Sequence, residues 1–345
     1  MLGGMTDSKP AVGLIARADN RGLGQQTWAF YRNVQPDRTL VLDVPSVQPL
    51  DQHFGRFPGE RVIKGFPSRR DMDGFLDGLD VVYTAETGYG QHLWDAAETR
   101  GVSTVLHVNY EFWNQEDRPT VFALPTAWHR EDLPDGAVML PVPIEGDRLR
   151  PRTDPPRTAS RFLHIVGRPA IHDRNGTPDL LDSLQHVTAP VTVVIACQQR
   201  GYVESLQRNY RIPSHVTVEV RSADVSNYWE NYVDADALLM PRRFGGLCLP
   251  AQEAIGCGLP VLMPDVDPNN TWLPKVWLAP ALRSFTFQAK QPVDVFSVDT
   301  VQYAALIDRL AQDDVFYGYS VWKAESLRAA LLWDTLLPKY REVLR

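Results

Sequence analysis

The sequence predicts a doubly wound α/β protein built from two Rossmann-like halves, and three observations carry that expectation. Short apolar, β-branched runs alternate with stretches of helical periodicity along most of the chain. The runs are apolar throughout, as in strands of a sheet covered on both faces. The alternation is interrupted once, by the Pro- and Arg-rich stretch RLRPRTDPPRTASR, and then restarts. At 345 residues the chain has the length of two domains.

In the first half the strand runs are VGLIA from Val12, TLVLDV from Thr39, DVVYTA from Asp80, VSTVLHV from Val102, TVFAL from Thr120 and AVMLPV from Ala137. Between them, QQTWAFYRNV and YGQHLWDAAETR have apolar residues at helical spacing. Beyond the linker come RFLHIVG from Arg161, VTVVIA from Val191, HVTVEV from His215, ALLMP from Ala237 and LPVLMP from Leu259. Helical stretches at about 177–187, 201–209, 225–233 and 250–257 separate them, and from about Thr300 the pattern is mostly helical. This gives a first domain over 1–150, a second domain over 158–325 and a terminal helix over 326–345. Open α/β sheets bind ligands beyond the carboxyl ends of their strands, so two such sheets are expected to face a central cleft. In the terminal helix Leu327 and Leu331 lie about one turn apart, and Leu332 and Trp333 widen the apolar face.

Composition excludes several classes. Hydrophobic residues make up 44% and charged residues 22%, which is ordinary globular usage and not that of a disordered or fibrous chain. No apolar run approaches the ~20 residues that cross a bilayer, so no membrane partner is expected. The start, MLGGMTDSKP, lacks the apolar core of a secretory signal. Three cysteines, Cys197, Cys248 and Cys257, make no disulfide framework and point to a reducing, cytoplasmic setting. A net charge of −7 argues against a general nucleic-acid coat protein but leaves room for a local basic patch.

The richest stretch runs from Asp234 to Asp265, DADALLMPRRFGGLCLPAQEAIGCGLPVLMPD. A strand ends at Pro241, a glycine-containing loop follows, and a helix begins near Pro250, where proline suits a first turn. Gly245 and Gly246 let main chain approach a bulky anion, and the helix start favours negative charge. Glu253 is expected in that first turn, where a carboxylate can accept two bonds from vicinal hydroxyls such as those of a ribose. The plainer reading is a glycine turn followed by a glutamate that complements the helix dipole. A second loop, LHIVGRPAIHDRNG, carries Gly167, Arg168, Arg174 and Asn175 from a strand into a helix. Planar guanidinium groups at strand carboxyl ends suit a diphosphate, whereas each arginine taken singly reads as a surface residue.

The Gly-Arg loop, the later RNG, and FGGLCLPAQEA followed by GLPVL resemble the nucleotide-sugar domain of GT-B glycosyltransferases. The similarity is to the retaining class that includes glycogen and sucrose synthases, over roughly residues 161–280, and it is weak between about 45 and 80. RRFGGLCLPAQEAIGCGLPVLMPD and DPNNTWLP are most similar to bacteriophage-encoded members, some of which glycosylate hydroxymethylated pyrimidines in DNA. The resemblance implies a UDP-linked hexose as co-substrate, no other cofactor and no metal, and a terminal helix that returns to the first domain and buries Leu327, Leu331, Leu332 and Trp333 there. It implies Arg168 and Arg174 on the diphosphate, amides near Gly245, Gly246, Leu247 and Cys248 close to the sugar and phosphate, and Glu253 on the ribose. The family often has a second Glu eight positions before the ribose Glu, and here that position is Gly245, preceded by Arg242 and Arg243. Arg243 is therefore a candidate for phosphate in place of a carboxylate on the sugar.

In the first domain, ARADNRGLGQQTW follows the first strand, and Gly22 and Gly24 allow a tight turn of the kind that approaches the donor in the family. The same glycines suggest a nicotinamide-dependent oxidoreductase, with Asp43 at a strand end, but Thr27 stands where the third glycine of that fingerprint belongs. Strand ends supply Glu86, His107, Asn109 and Glu111. A lone His in an apolar strand is more often a core residue than a catalyst, so Glu111 is the leading candidate base and Asp19 the next. Asn109 and Trp113 are candidate acceptor contacts. Three Asp-x-Asp pairs occur, Asp71/Asp73, Asp234/Asp236 and Asp265/Asp267, and only the last follows an apolar strand; the histidines lack zinc spacing. Between Arg56 and Arg70 the basic residues Arg56, Arg61, Lys64, Arg69 and Arg70 are interleaved with Phe57 and Phe66 in what reads as loop. Cations beside aromatics can hold phosphates and stack bases, which makes DNA the leading candidate acceptor; the plainer reading is a solvated loop whose aromatics pack beneath it. A second basic run spans Arg148 to Arg161. The alternatives are a virion protein or glycan as acceptor, and a module that binds nucleotide sugar without turnover.

Overall fold

The computed structural model describes residues 9–45, 51–222 and 227–345. The chain divides into two compact units, one running to Val142 and joined by Leu336–Arg345, the other Pro143–Thr335.

The first unit is a seven-stranded parallel sheet: β1 Val12–Ala16, β2 Arg38–Asp43, β3 Arg61–Lys64, β4 Val81–Glu86, β5 Ser103–Val108, β6 Val121–Leu124 and β7 Val138–Met139. Its order is β3-β2-β1-β4-β5-β6-β7, so the chain winds outward from β1, then returns to β4 on the other side. The central strands are buried along almost their whole length, which explains their unbroken apolar runs. Helices α1 Gly22–Val34, α2 Arg69–Leu76 and α3 His92–Arg100 connect them.

The 56–70 segment is only partly the loop expected. Arg61–Lys64 forms the edge strand β3 on β2, and Ser68 opens α2 with a capping box in which its side chain accepts from the Asp71 N–H. The strand is four residues long and mostly exposed, so neither length nor alternation marks it.

The second unit repeats the winding with β8 Arg161–Gly167, β9 Val191–Cys197, β10 Val216–Arg221, β11 Ala237–Leu239, β12 Val261–Pro264 and β13 Leu278–Ala279, in the order β10-β9-β8-β11-β12-β13. Helices α4 Thr177–Leu184, α5 Tyr202–Gln207, α6 Leu249–Gly256 and α7 Asn269–Trp272 flank it. The helix expected over 225–233 is instead a 3-10 segment, Tyr228–Tyr232, and residues 225 and 226 lie outside the described residues. An antiparallel hairpin, β14 Ala281–Gln288 and β15 Pro292–Val298, follows β13 and was not legible. Its turn, Ala289-Lys290-Gln291, has none of the glycine or asparagine chemistry that marks hairpins. The Pro- and Arg-rich stretch before β8 is irregular, and its arginines are engaged: Arg148 with Glu145, Arg152 with Asp236, Arg157 with Asp314, and Arg161 with Glu219 and Asp234.

The chain ends in α8 Thr300–Gln312, α9 Asp314–Leu331 and α10 Trp333–Val343. Leu327, Leu331 and Leu332 pack against the core of the second unit, which corrects the expectation that they pack on the first. The Ile144 N–H donates to the Leu331 carbonyl at 2.9 Å and draws this stretch in. Within the first unit it is Tyr340, 1% exposed, that packs, with ring centroids 6.1 Å from Phe30 and 6.3 Å from Tyr83. No helix among the described residues is long and apolar enough to cross a membrane.

Candidate functional site

In the second unit the strand order reverses between β8 and β11, and ligands of open α/β sheets sit at that switch point, beyond the carboxyl ends. The loop after β8, residues 168–176, and the loop after β11, residues 240–248, flank it and touch each other. The Arg243 N–H donates to the Arg174 carbonyl at 2.8 Å, and the Arg174 guanidinium lies 4.9 Å over the Phe244 ring. Gly176 has φ +72, and a Cβ there would stand 1.9 Å from the Pro241 carbonyl oxygen, so only glycine lets these two stretches of main chain meet. Arg168 is exposed at the end of β8 and Arg174 is half-buried. Asn175 turns inward: its side-chain amide donates to the Ile165 and Val166 carbonyls at 3.2 and 3.0 Å and braces the loop on β8.

The Gly245 position explains the missing second carboxylate. Its φ of +112 is a backbone conformation that a glutamate rarely adopts, and a Cβ there would also displace the Arg242 guanidinium, 2.5 Å away. Arg242 is buried beneath the loop and donates through Nε to the Phe244 carbonyl at 3.0 Å. Arg243 donates to Phe296 and His172 carbonyls and to Ser297 Oγ, so its guanidinium is committed to protein. Gly246 and Cys248 are buried, and Leu247 is half-buried, on the run into α6.

Glu253 stands in the second turn of α6, since the helix starts at Leu249, which corrects its assignment to the first turn. It is half-buried, and Tyr232 Oη donates to its Oε2. Burial pushes the carboxyl up to about 7; the Tyr232 bond pulls it down and the Glu145 charge pushes it further up. Glu145 is itself 5% exposed and held by Arg148 at 3.0 Å and by the Tyr228 hydroxyl at 3.2 Å. Neither Glu145 nor the two tyrosines stood out in the sequence, because they lie far from α6 along the chain and no motif joins them.

In the first unit the switch point lies between β1 and β4. Asp19, 1% exposed, pairs with Arg17 at 3.1 Å and Arg21 at 3.5 Å and accepts the Arg21 N–H at 3.0 Å. Gly22 and Gly24 belong to the first turn of α1, and a Cβ on Gly24 would stand 2.0 Å from the Asp19 carbonyl oxygen. Thr27 accepts the Arg17 N–H at 3.2 Å and donates to Leu23 at 3.0 Å, which seals the helix to the strand where a dinucleotide fold needs a third glycine. Glu111 is 3% exposed in the 3-10 segment Tyr110–Phe112, and Asn109 just before it reaches Glu86 at 3.5 Å. His107 is a core residue: Nδ1 meets the Tyr83 hydroxyl at 2.6 Å, and burial lowers its pKa to about 4.

No protein-family model matches the sequence, and no curated protein matches it. Solved structures do. The chain is similar to sucrose-phosphate synthase from Thermosynechococcus elongatus, at a TM-score of 0.64 and 14% identity over 96% of this chain and 97% of that one. It is similar to Anabaena HepE in complex with UDP, at 0.63 and 12% over 96% and 99%. It is also similar to the pneumococcal O-GlcNAc transferase GtfA in complex with UDP and GlcNAc, at 0.56 and 17% over 86% and 60%. The chain has the GT-B fold.

Of the residues singled out for this GT-B chain, the second unit brings Arg168, Arg174 and the 240–248 loop together at one sheet edge. The first-unit candidates divide. Trp113 is buried against Phe122, 6.4 Å between centroids, so it is not a platform for a base or sugar. Arg61 pairs with Asp71, and Arg69 with Asp73 at 3.2 Å. Arg56 donates to Asn20 and lies 4.4 Å over the Trp28 ring. Lys64, Phe66 and Arg70 are exposed. Among the described residues no group of three or more His, Cys, Asp and Glu side chains could hold a metal. Of the Asp-x-Asp pairs, Asp71, Asp73, Asp234 and Asp236 are all ion-paired with arginines.

Proposed function

We propose that the chain is a glycosyltransferase that moves a hexose from a UDP-sugar to an acceptor hydroxyl. The observation that carries this is the meeting, at the switch point of a GT-B second unit, of the 168–176 loop, which bears Arg168 and Arg174, with the 240–248 loop, which runs into the helix that holds Glu253. Arginines and main-chain amides at the diphosphate act where negative charge develops as the sugar leaves. Glu253 takes the ribose hydroxyls. UDP in two of the similar solved structures supports the choice of nucleotide. In the transfer, the bond from the sugar C1 to the diphosphate oxygen breaks and one from C1 to the acceptor oxygen forms. The acceptor proton passes to the departing phosphate in a retaining reaction, which the sequence resemblance supports. An inverting reaction needs a protein base instead, for which Glu111 and Asp19 are the candidates, and Asp19 is already engaged by Arg17 and Arg21. The test is UDP release from a panel of UDP-sugars with and without acceptor; no release under any pairing refutes the reading.

For the acceptor we propose a 5-hydroxymethylpyrimidine, 5-hydroxymethylcytosine first, in DNA of a bacteriophage. Exposed Lys64, Phe66 and Arg70 beside the edge strand β3 favour a phosphate backbone with stacked bases, and the phage-like phrases of the donor loops point the same way. A duplex base must leave the stack to reach the donor. Mass spectrometry of hydroxymethylated and unmodified duplexes after incubation with UDP-sugars checks this. Hexose on the hydroxymethylated duplex alone supports it, and transfer to a glycan or protein but to neither duplex refutes it.

A further inference from the structure

The hairpin β14–β15 belongs to no part of the donor site described so far, yet it packs on both donor loops. Arg243 joins them. Its Nε donates to the Phe296 carbonyl at 3.0 Å, Nη2 to Ser297 Oγ at 3.1 Å and Nη1 to the His172 carbonyl at 3.2 Å. Its main chain bridges the same partners, donating to the Arg174 carbonyl at 2.8 Å and accepting the Phe296 N–H at 2.9 Å. Aromatic rings close the contact. The His172 ring lies 4.7 Å from Phe287 and 5.1 Å from Phe285, and Phe244 lies 5.1 Å from Phe287. At this spot the 168–176 loop is strained: His172 and Asp173 follow one another at φ 54 and 47, a left-handed conformation that few non-glycine residues adopt. Two such residues in succession persist only where the surroundings hold them. Tyr202 fixes Asp173 from one side by a hydrogen bond, and Arg243 with the hairpin fixes His172 from the other.

We infer that Arg243 is a positioning residue: with the hairpin it clamps the strained loop so that Arg168 and Arg174 face the diphosphate, and it does not itself bind phosphate. This rests on the donor reading above. The clamp depends on shape, because a guanidinium fork reaches three acceptors in different directions while a lysine ammonium gathers its donors on one atom. A phosphate ligand depends instead on charge, which lysine keeps.

Calorimetric titration with UDP and with uridine separates the two for wild type, R243K and R243A. The clamp predicts at least a tenfold loss of UDP affinity in both variants, with uridine affinity within twofold of wild type. It also predicts faster amide exchange at Asp173 and Gly176, whose N–H groups donate to the Ala170 and Asp173 carbonyls at 3.2 and 2.7 Å. Phe285→Ala trims a ring that is 39% exposed, leaves the core intact and is expected to speed the same exchange. UDP binding by R243K at wild-type strength overturns the clamp, as does unchanged exchange in R243A and Phe285→Ala. A wild type that binds neither UDP nor any other nucleoside diphosphate refutes the donor reading instead.

Discussion

Donor binding should strengthen about tenfold between pH 6 and pH 8, through Glu253 alone. With its carboxyl near 7, the group is about 10% ionised at pH 6 and about 90% at pH 8. Only the carboxylate accepts from both ribose hydroxyls at full strength, so the apparent affinity scales with that ionised fraction. Stability runs the opposite way. In the unfolded chain the group titrates near its ordinary 4.5, so between about 4.5 and 7 the folded state binds more protons, and stability falls as pH rises through this window. The full displacement corresponds to roughly 3 kcal/mol at about 1.4 kcal/mol per pH unit. Calorimetric titration of uridine, which carries no phosphate to titrate in this range, across pH 6–8 with wild type and Glu253→Gln side by side checks the binding part, and chemical denaturation at the same pH values checks the stability part. Glu253→Gln should bind more weakly at pH 8 and lose the pH dependence. Tyr232→Phe, which removes a bond that favours the ionised form, should move the midpoint above that of wild type, and Glu145→Gln, which removes a like charge, below it. A wild-type affinity that is flat across this range, or a slope retained in Glu253→Gln, refutes the reasoning.

Arg168→Ala is expected to lower kcat as well as raise the donor KM, because charge on the leaving diphosphate loses a partner, whereas Glu253→Ala should act mainly on KM; steady-state kinetics separates the two patterns. Gly176→Ala should destabilise the second unit by several kcal/mol, on the order of 3 or more, since its Cβ has no space beside the Pro241 carbonyl, and thermal unfolding reads this directly. Tyr340→Ala should cost about 3–5 kcal/mol by emptying the space beside Phe30 and Tyr83 in the first unit, measured by chemical denaturation.

Much of this architecture was legible because buried parallel strands must be apolar throughout. VGLIA, DVVYTA, RFLHIVG and VTVVIA name their strands almost to the residue, and RRFGGLCLPAQEA names the loop and helix that follow β11. The edge strand β3 and the hairpin strand β14 escaped because exposed strands bury too little to leave an apolar run. At the candidate site the sequence singled out Gly245, where backbone chemistry dictates residue type, and is silent where partners come from distant segments. Nothing in the order of residues announces that Arg243 is held by Phe296 and Ser297 or that Glu145 bears on Glu253. Arg243 reads as a phosphate candidate until the fold shows the carbonyls and hydroxyl that already occupy it. Likewise, Leu327 and Leu331 have the spacing of a buried face, but periodicity does not say which unit buries it.

A crystal structure with UDP bound tests the main claim most directly. The account predicts the diphosphate at the carboxyl edge between β8 and β11, within hydrogen-bond reach of Arg168 and of main-chain amides around 245–248, with the ribose hydroxyls on Glu253. Nucleotide bound elsewhere, with Arg168 and Glu253 both away from it, contradicts the account.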